Sequence, residues 1–427
     1  MNSLDEEQEL DRPHNPLGDW LQSLSSAGEM KSEGSGFSIA QEKAWEKLGA
    51  FQLPFESAWV LKVVQAAVVG GALSIEVVQT RSETHFTLSS LAGVTWNSVQ
   101  KLLFEVDSAS ESASSHLAVA FRTLAKSVGN PFFVNFPGDS VVVWDGSAFQ
   151  AADPTSDIFE IKISHFLSTG VFKAIRFMTG IQKALCDYCH LCPIPLNIDN
   201  RAINSLVDDP LCRPSADCSL LAFQTAKVSD DLPRLKLPST DWNALHPDGA
   251  RPSLDFESAF RESDEECGAG MLLCGFRKVI HGGEQYFRSY RKSSELIWLR
   301  HGVIVARESL NIAQSVALLL IVNAECLDTD LTGFDLRKND RKMSRRNAAI
   351  ESAFSALKEL KSRSRVKLQG RNSFMSLLGW GGIALTVLIP PAGLALWGLR
   401  ASALREDQER IAKEFDNGLS RVFANLR

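Results

Sequence analysis

The chain has 427 residues, 44% apolar and 22% charged, a composition typical of globular proteins rather than of disordered or collagen-like chains. This length is enough for two or three hydrophobic cores, so a single-domain protein is not expected. A net charge of −6 excludes general attraction to nucleic acid, and we expect no nucleic-acid partner. Eight cysteines without a signal-peptide pattern favour a reducing, cytosolic environment.

The N-terminal segment, residues 1–36, is predicted to be disordered. It is acidic near its start and ends in a stretch rich in Gly and Ser, and such a composition buries too little apolar surface to fold. A short amphipathic helix is predicted at residues 39–48. We expect it to pack onto the first domain, which we place at residues 37–206.

The stretch at residues 51–144 is predicted to combine amphipathic helices with β-hairpins. Val60, Val63 and Val64 lie on one face of a helix that ends at Gly70. The predicted elements are, in order, a helix at Trp59–Val69, strands at Ser74–Gln79 and 84–89, helices at 94–104 and 116–128, and strands at Phe132–Phe136 and Ser140–Trp144. Because the helices and the sheet each bury one apolar side, we expect the helices on one face of the sheet.

This order of elements resembles the ATP-binding domain shared by gyrase, the ninety-kilodalton heat-shock chaperones, sensor histidine kinases and MutL, which form the GHKL superfamily with its Bergerat fold. The chaperone branch is the most similar, because a later long helix at 171–189 runs into an extended segment, as at the exit of the chaperone domain. The resemblance covers residues 51–206. It implies an α+β protein with an N-terminal α/β sandwich and a smaller α+β middle domain.

The resemblance also implies where a nucleotide pocket would lie. In the superfamily the first helix supplies a Glu and an Asn that hold water and magnesium, a D-x-G-x-G turn holds adenine, and a Gly-x-Gly-Phe lid precedes a helix. Here Lys62 stands in place of the Glu, and Ala66, or Gln65 in a shifted register, in place of the Asn. The turn at 89–93 keeps only its last glycine, and 118–121 replaces the lid. The implied pocket positions are Lys62, Gln65, Ala66, Ser89, Ser90, Gly93 and Ala120.

These replacements remove the groups that ATP hydrolysis needs. The reaction requires a carboxylate to orient water and a metal to neutralise charge on the phosphates. A protonated Lys62 cannot act as a general base, so the resemblance implies a pseudo-ATPase with no catalytic residue and no required cofactor. Binding of ATP and magnesium without turnover stays open, as does an active ATPase with displaced residues.

Three cysteines have the spacing of a metal site. Cys186, Cys189 and Cys192 are each separated by two residues, with His190 among them, and this spacing occurs in zinc and iron–sulfur sites. The first two are predicted to lie on a helix, and free cysteines are common in protein cores. We therefore expect no metal and keep these three residues as the alternative ligand set.

The middle of the chain is predicted to form a second, smaller domain. Residues 207–267 are rich in Pro and Asp and are predicted to be an irregular linker or insertion. A run of short strands then predicts an α+β domain at residues 268–335, with a turn at His301 and Gly302. The apolar run at 316–322 is either a buried strand or a short buried helix, since it is too short to span a bilayer.

A basic amphipathic helix is predicted at residues 336–371. Residues 337–371 contain twelve Lys or Arg and three Asp or Glu, and Ile350, Phe354 and Leu357 form an apolar stripe with Leu360. Such a helix next to an apolar segment is typical of one that lies on an anionic lipid surface.

Residues 374–399 are predicted to be a single transmembrane segment. They carry no charge and would extend about 39 Å as a helix at roughly 1.5 Å per residue. The basic residues before this segment outnumber those in the amphipathic tail at 400–427, which predicts that the large N-terminal portion is cytoplasmic. A buried helix of a soluble protein is the alternative.

Together these features predict a membrane-tethered chaperone-like or adaptor protein that binds a protein partner or client on a degenerate GHKL scaffold. One alternative is an ATP-binding and ATP-hydrolysing clamp of the chaperone type. Another is a structural membrane-associated protein with a vestigial pocket. A pocket lined by polar residues such as Lys62 and Gln65 would favour the first two, and a pocket filled with apolar side chains would favour the third.

Overall fold

The computed structural model describes residues 53–103, 111–128, 131–165, 171–206, 219–239, 252–254, 267–275, 277–281, 284–288, 292–314, 316–330, 332–363 and 366–368, with five single positions between 413 and 424. All of them lie in one structural unit, Gly49–Arg427. The predicted segments 1–36, 39–48 and 374–399, and nearly all of the tail at 400–427, lie outside the described residues. Among the residues that are described, no helix has both the length and the apolar content needed to cross a bilayer.

The fold is mixed α+β, as the sequence predicts, and it contains two large sheets. The described part of the chain forms α1 (Trp59–Val69), α2 (Trp96–Leu103), α3 (Ala113–Thr123), α4 (Val171–Tyr188) and α5 (Asp340–Arg363). A single π-helical turn, Leu124–Val128, extends α3. In the first half of the chain the bounds of α1, α2 and α4 agree with the predicted helices to within two residues, and α3 with its π-helical turn covers the helix predicted at 116–128.

The first sheet has eight strands in the order β5-β4-β3-β6-β2-β1-β7-β8. Its strands are β1 (Ser74–Gln79), β2 (Glu83–Ser89), β3 (Phe132–Phe136), β4 (Ser140–Trp144), β5 (Phe149–Ala152), β6 (Phe159–Ser164), β7 (Leu196–Ile198) and β8 (Arg201–Ala202). Neighbouring strands are antiparallel except for β1 and β7, which are parallel. Both predicted hairpins are present, β1–β2 and β3–β4.

One face of the first sheet is apolar because alternate residues of each strand point to the same side. The register aligns Val77, Phe86, Ile161 and Val134 in a single row across β1, β2, β6 and β3. All four side chains are buried. The sequence alternation in each strand therefore sets which face needs a cover of helices.

The helices lie on this apolar face. The Trp59 ring of α1 meets Phe86 edge-on at 5.5 Å, and Phe121 of α3 meets Phe136 at 6.4 Å between ring centroids. Trp96 of α2 lies 6.0 Å from the same Phe136 ring. These contacts confirm the prediction that the three helices share one face of the sheet.

The second sheet has five strands in the order β15-β14-β16-β11-β9, and β14 and β16 are parallel. Its strands are β9 (Ser219–Ala226), β11 (Ala269–Gly275), β14 (Lys292–Arg300), β15 (Val303–Gln314) and β16 (Val316–Asn323). Two small pairs accompany it: β10 (Pro252–Leu254) with β17 (Val366–Leu368), and β12 (Arg277–His281) with β13 (Glu284–Arg288).

Both faces of the second sheet are buried. On one face Leu320 packs with Ala353 of α5, and on the other Leu319 packs with Leu191 and Leu206, which follow α4. Burial on both faces explains why β16 is apolar along almost its whole length. Of the two structures predicted for the apolar run at 316–322, a buried strand and a short buried helix, the strand is the one that forms. The two sheets therefore share one continuous packed structure.

Two predictions for the second half of the chain are wrong in part. Residues 207–267 were expected to be irregular, but Ser219–Ala226 within them forms the edge strand β9 and pairs with β11. The apolar stripe of the basic helix was expected to face lipid, but Leu357 lies in the core under the second sheet and Ile350 packs against that core. An apolar stripe at helical spacing fits a sheet as well as a membrane, so the pattern alone does not distinguish them.

Candidate functional site

A cluster of buried and half-buried polar side chains lies where α1 and α3 meet the turn between β14 and β15. We call it the polar cluster. Its members are Lys62 and Gln65 from α1, Glu111 just before α3, His116 within α3, Arg300 and His301 at the β14–β15 turn, and Glu325 and Asp330 after β16. Buried ionisable groups that gather at a contact between two parts of a fold are candidates for function.

The β14–β15 turn packs closely against α1. His301 and Gly302 both have a positive φ, 49° and 76°, as a two-residue hairpin turn of type I′ requires. A Cβ atom on Gly302 would lie 3.0 Å from Val68 and 3.2 Å from the sulfur of Cys192. Glycine is therefore needed both for the turn and for this close approach. The turn at His301 and Gly302 is a confirmed sequence prediction.

Glu111 links the turn to the first sheet's helices. Its carboxylate accepts hydrogen bonds from Arg300 Nη2, from His301 Nε2 at 2.9 Å and from the backbone N–H of Cys326 at 3.2 Å. Burial alone would raise the pKa of Glu111, but the hydrogen bond from His301 and the charge of Arg300 outweigh burial and lower the pKa to about 2. Glu111 is therefore ionised at neutral pH.

His301 lies between two carboxylates. Its Nδ1 atom is 3.4 Å from Glu325 Oε1, and its Nε2 atom faces Glu111. Burial lowers the pKa of His301, but the hydrogen bonds to Glu111 and Glu325 outweigh burial, so the net shift is upward. The arrangement favours an imidazolium that donates from both ring nitrogens.

Lys62 is 4% exposed, and its ammonium group lies 4.4 Å from the centre of the Phe334 ring. Gly333 passes directly over it, because a Cβ there would lie only 2.8 Å from Nζ. Burial is the largest cause that lowers the pKa of Lys62, followed by the charge of Arg300, and the pKa falls to about 7. Burial therefore favours the neutral amine of Lys62 over the charged ammonium.

Several buried polar atoms of the cluster lack a hydrogen-bond partner among the described residues. Gln65 donates from Nε2 to the carbonyl of Arg300 at 3.3 Å, but its Oε1 atom has no partner. The same is true of His116 Nε2 and of Arg300 Nε and Nη1. Burial is also the main cause that holds the pKa of His116 well below its usual value, so His116 is neutral. Buried polar atoms without a hydrogen-bond partner are uncommon in folded proteins and often mark sites of function or strain.

The structure separates the predicted pocket positions into three places. Lys62 and Gln65 lie in the polar cluster. Ala66 and Ala120 are fully buried among apolar side chains of α1 and α3. The third group, Ser89, Ser90 and Gly93, belongs to the turn that follows β2.

That turn lies near the end of α1 and away from Lys62. The N–H of Ala92 donates to the carbonyl of Gly70 at 3.3 Å, and a Cβ on Gly70 would clash with Leu91. Gly70 is eight residues from Lys62, about 12 Å along a helix. Ser89 donates or accepts a hydrogen bond with Ser74 at 2.6 Å. The turn thus does not contribute to the polar cluster.

Comparison with known proteins adds no further constraint on the site. No model of a known protein family matches the chain, and no curated protein matches it. The geometry of the polar cluster is therefore the main basis for a functional proposal. Neither comparison tests the predicted resemblance to the GHKL superfamily.

Of the three cysteines proposed as alternative metal ligands, Cys189 and Cys192 lie in the core and Cys186 is half-buried. Cys189 and Cys192 are fully buried, and burial raises the pKa of both thiols, for Cys192 to about 12. Among the described residues there is no group of three or more His, Cys, Asp or Glu side chains placed to hold a metal ion.

Sequence reasoning identified only the α1 part of the polar cluster. Glu111 follows a serine-rich stretch, and neither its spacing nor its neighbours signal a site. Arg300 and His301 were predicted as strand and turn residues only. A polar pair at the tip of a hairpin, between the apolar stretches 296–299 and 303–306, is the one signal that would have singled them out.

Proposed function

We propose that the protein is a membrane-tethered, chaperone-like adaptor on a degenerate GHKL scaffold, and that it binds a protein partner without hydrolysing ATP. The main observation in support is the position of the Lys62 and Gln65 side chains between the two sheets. Both side chains are buried, and they contact the second sheet's turn and the loop at Phe334. Residues in this position therefore join the two sheets, which supports a fixed binding platform rather than a cycling clamp.

The carboxylates of the polar cluster are poor candidates for a displaced general base. Burial raises the pKa of Glu111, Glu325 and Asp330, but hydrogen bonds outweigh it and the net pKa of each is lowered. The partners are His301 for the two glutamates, and Thr332 with backbone N–H groups for Asp330. A strongly stabilised carboxylate accepts a proton weakly, and general-base catalysis is most efficient when the pKa is near the working pH.

We expect purified full-length protein to show no magnesium-dependent ATP turnover above background. Loss of a positioned base alone lowers the rate by about 10²–10⁴-fold. Phosphate release should be measured with ATP and magnesium for the wild type and for Gln65→Ala, with circular dichroism to confirm that the variant is folded. Turnover in the wild type that disappears in folded Gln65→Ala would contradict the proposal. Equal turnover in both would indicate a contaminating enzyme.

A second candidate is a clamp that binds ATP without turnover. The unpartnered polar atoms of Gln65, His116 and Arg300 favour it over a purely structural protein, because a vestigial pocket is expected to fill with apolar side chains. Against it, a nucleotide would have to displace the contacts between Gln65 and Arg300. The adaptor therefore remains the first proposal.

The membrane tether is proposed from residues 374–399, whose lack of charge makes insertion favourable. The basic residues at 337–371 support a cytoplasmic orientation and contact with anionic lipid. Some of them act within the protein: Arg345 donates to the carbonyls of Asn323 and Glu325, and Lys342 pairs with Glu308 at 2.7 Å. Arg341 donates to the carbonyl of Cys326, and Arg346 pairs with Glu308 at 3.3 Å.

Deletion of residues 372–427 should move the protein from the membrane fraction to the soluble fraction. Each charged residue near mid-bilayer opposes insertion by about 2.5–3.5 kcal/mol, and the segment has none. The measurement is high-speed centrifugation of cell lysate without detergent, with carbonate washing to remove peripheral proteins. Full-length protein that stays in the supernatant would contradict the tether. A reporter fused after Arg371 and found outside the cell would contradict its orientation.

A further inference from the structure

The first half of α4 exposes three large apolar side chains. Phe172 is 89% exposed, Val171 61% and Ile175 46%. They lie within one and a half turns of the same helix. Single exposed apolar residues are ordinary, but a fully exposed phenylalanine with two apolar neighbours is not, and such groups mark contact surfaces.

The described part of the fold packs against the opposite side of α4. The second half of α4 packs onto the protein through Ile181 and Leu185, both fully buried, and Phe177 stacks on Trp59 at 6.3 Å. A helix turns about 100° per residue, so Phe172 and Ile181 point to opposite sides. The side of α4 that carries Phe172 therefore faces away from the sheet. We call it the outer face of α4.

The outer face carries basic residues. Arg176 lies one turn after Phe172 on the same side, Lys173 lies on its flank, and the helix has no acidic residue before Asp187. The N-terminal end of a helix is already positive because of its unpaired N–H groups, so basic residues there are unfavourable for the helix itself. Their presence next to exposed apolar groups, in a chain of net charge −6, indicates a negatively charged partner that also accepts apolar side chains.

We propose that the outer face of α4 inserts into an anionic lipid surface. Helices that lie on membranes combine apolar aromatic side chains with Lys and Arg in this way. The inference rests on the proposed membrane tether, since β17 ends at Leu368 and the uncharged segment begins at residue 374. Six residues reach at most about 20 Å, so the tether would hold the folded part close to the lipid headgroups.

The test follows backbone hydrogen exchange of residues 171–178 in the full-length protein. The protein is mixed with phosphatidylcholine vesicles, with and without phosphatidylserine. Flotation of the vesicles reports the tether independently. We expect exchange of this segment to slow by about tenfold with phosphatidylserine, an effect that burial of one phenylalanine is large enough to produce. In vesicles without phosphatidylserine we expect little protection.

Three variants show whether the protection depends on the outer face of α4. Phe172→Ser and Arg176→Glu should each abolish the protection, whereas Leu73→Ser, which removes an apolar side chain that is 68% exposed elsewhere, should leave it unchanged. Protein that floats on both kinds of vesicle with an unprotected 171–178 segment would overturn the inference and leave the tether standing. Flotation only on phosphatidylserine vesicles, with protection, would support the inference and overturn the tether. Equal protection on both vesicles, or none on either, would also overturn the inference.

Discussion

Lys62→Met should raise the free energy of unfolding at pH 7 by about 3 kcal/mol. The folded protein holds the Lys62 amine at 4% exposure and lowers its pKa from 10.5 to about 7. At about 1.36 kcal/mol per unit the full shift corresponds to about 5 kcal/mol, and the loss of the ammonium contact with Phe334 reduces the expected gain. Urea unfolding of the two proteins, monitored by tryptophan fluorescence, measures the difference.

The pH dependence of this difference tests its cause. Because the folded state binds the Lys62 proton less tightly than the unfolded chain, the wild type gains stability as pH rises from about 7 to 10.5. Lys62→Met lacks this gain, so the advantage of the variant should shrink across that range. An advantage that does not change with pH would contradict the role assigned to burial of the charge.

Lys342→Met is the matched control. Lys342 is also buried, at 8% exposure, but its ammonium pairs with Glu308 at 2.7 Å. Its replacement leaves Glu308 without its closest partner, so we expect a loss of stability where Lys62→Met gives a gain. Opposite signs for two buried lysines would separate the effect of the site from any general benefit of methionine.

Glu111→Gln should lower the free energy of unfolding at pH 7 by about 3 kcal/mol, since removal of one partner leaves the buried Arg300 charge uncompensated. Arg300 is 5% exposed, and Glu111 is its only carboxylate partner among the described ion pairs. The contribution of Glu111 is complete above its ordinary pKa of 4.5 and is lost as pH falls toward about 2. Acid unfolding curves should therefore converge for the two proteins over that range.

Glu295→Gln, on the β14–β15 hairpin that carries Arg300, is the control for Glu111→Gln. Glu295 pairs with Arg307 at 3.2 Å near the surface, and such pairs contribute less than about 1 kcal/mol. A similar loss of stability for both variants would mean that Glu111 acts as an ordinary surface charge. In that case the polar cluster would not be what joins the two sheets.

The elements of the first sheet could be predicted from the sequence because local patterns determine them. Trp59–Val69 and the hairpin at Phe132–Phe136 and Ser140–Trp144 occur at the predicted bounds, since helical spacing and strand alternation are visible within ten residues. β9 was missed because it lies in a region rich in Pro and Asp and forms only by pairing with β11, more than forty residues later. Local propensity cannot report such a partner.

The polar cluster was predictable only in part, for a related reason. The hydrogen bond from Gln65 to Arg300 joins residues 235 positions apart, and the pair of Glu111 with Arg300 spans 189 positions. Resemblance to a known pocket singled out Lys62 and Gln65, but nothing local marks Glu111 or His301 as their neighbours. The burial that shifts the pKa of Lys62 exists only once both sheets are in place.

We propose that the two sheets meet through Lys62 and Gln65 in a way that leaves no working nucleotide pocket. Calorimetric titration of full-length protein with ATP and ADP, with and without magnesium, measures whether such a pocket exists. We expect no saturable heat of binding for either nucleotide, in the wild type or in Lys62→Met. Magnesium-dependent binding of one nucleotide per chain, lost in folded Gln65→Ala, would contradict the claim.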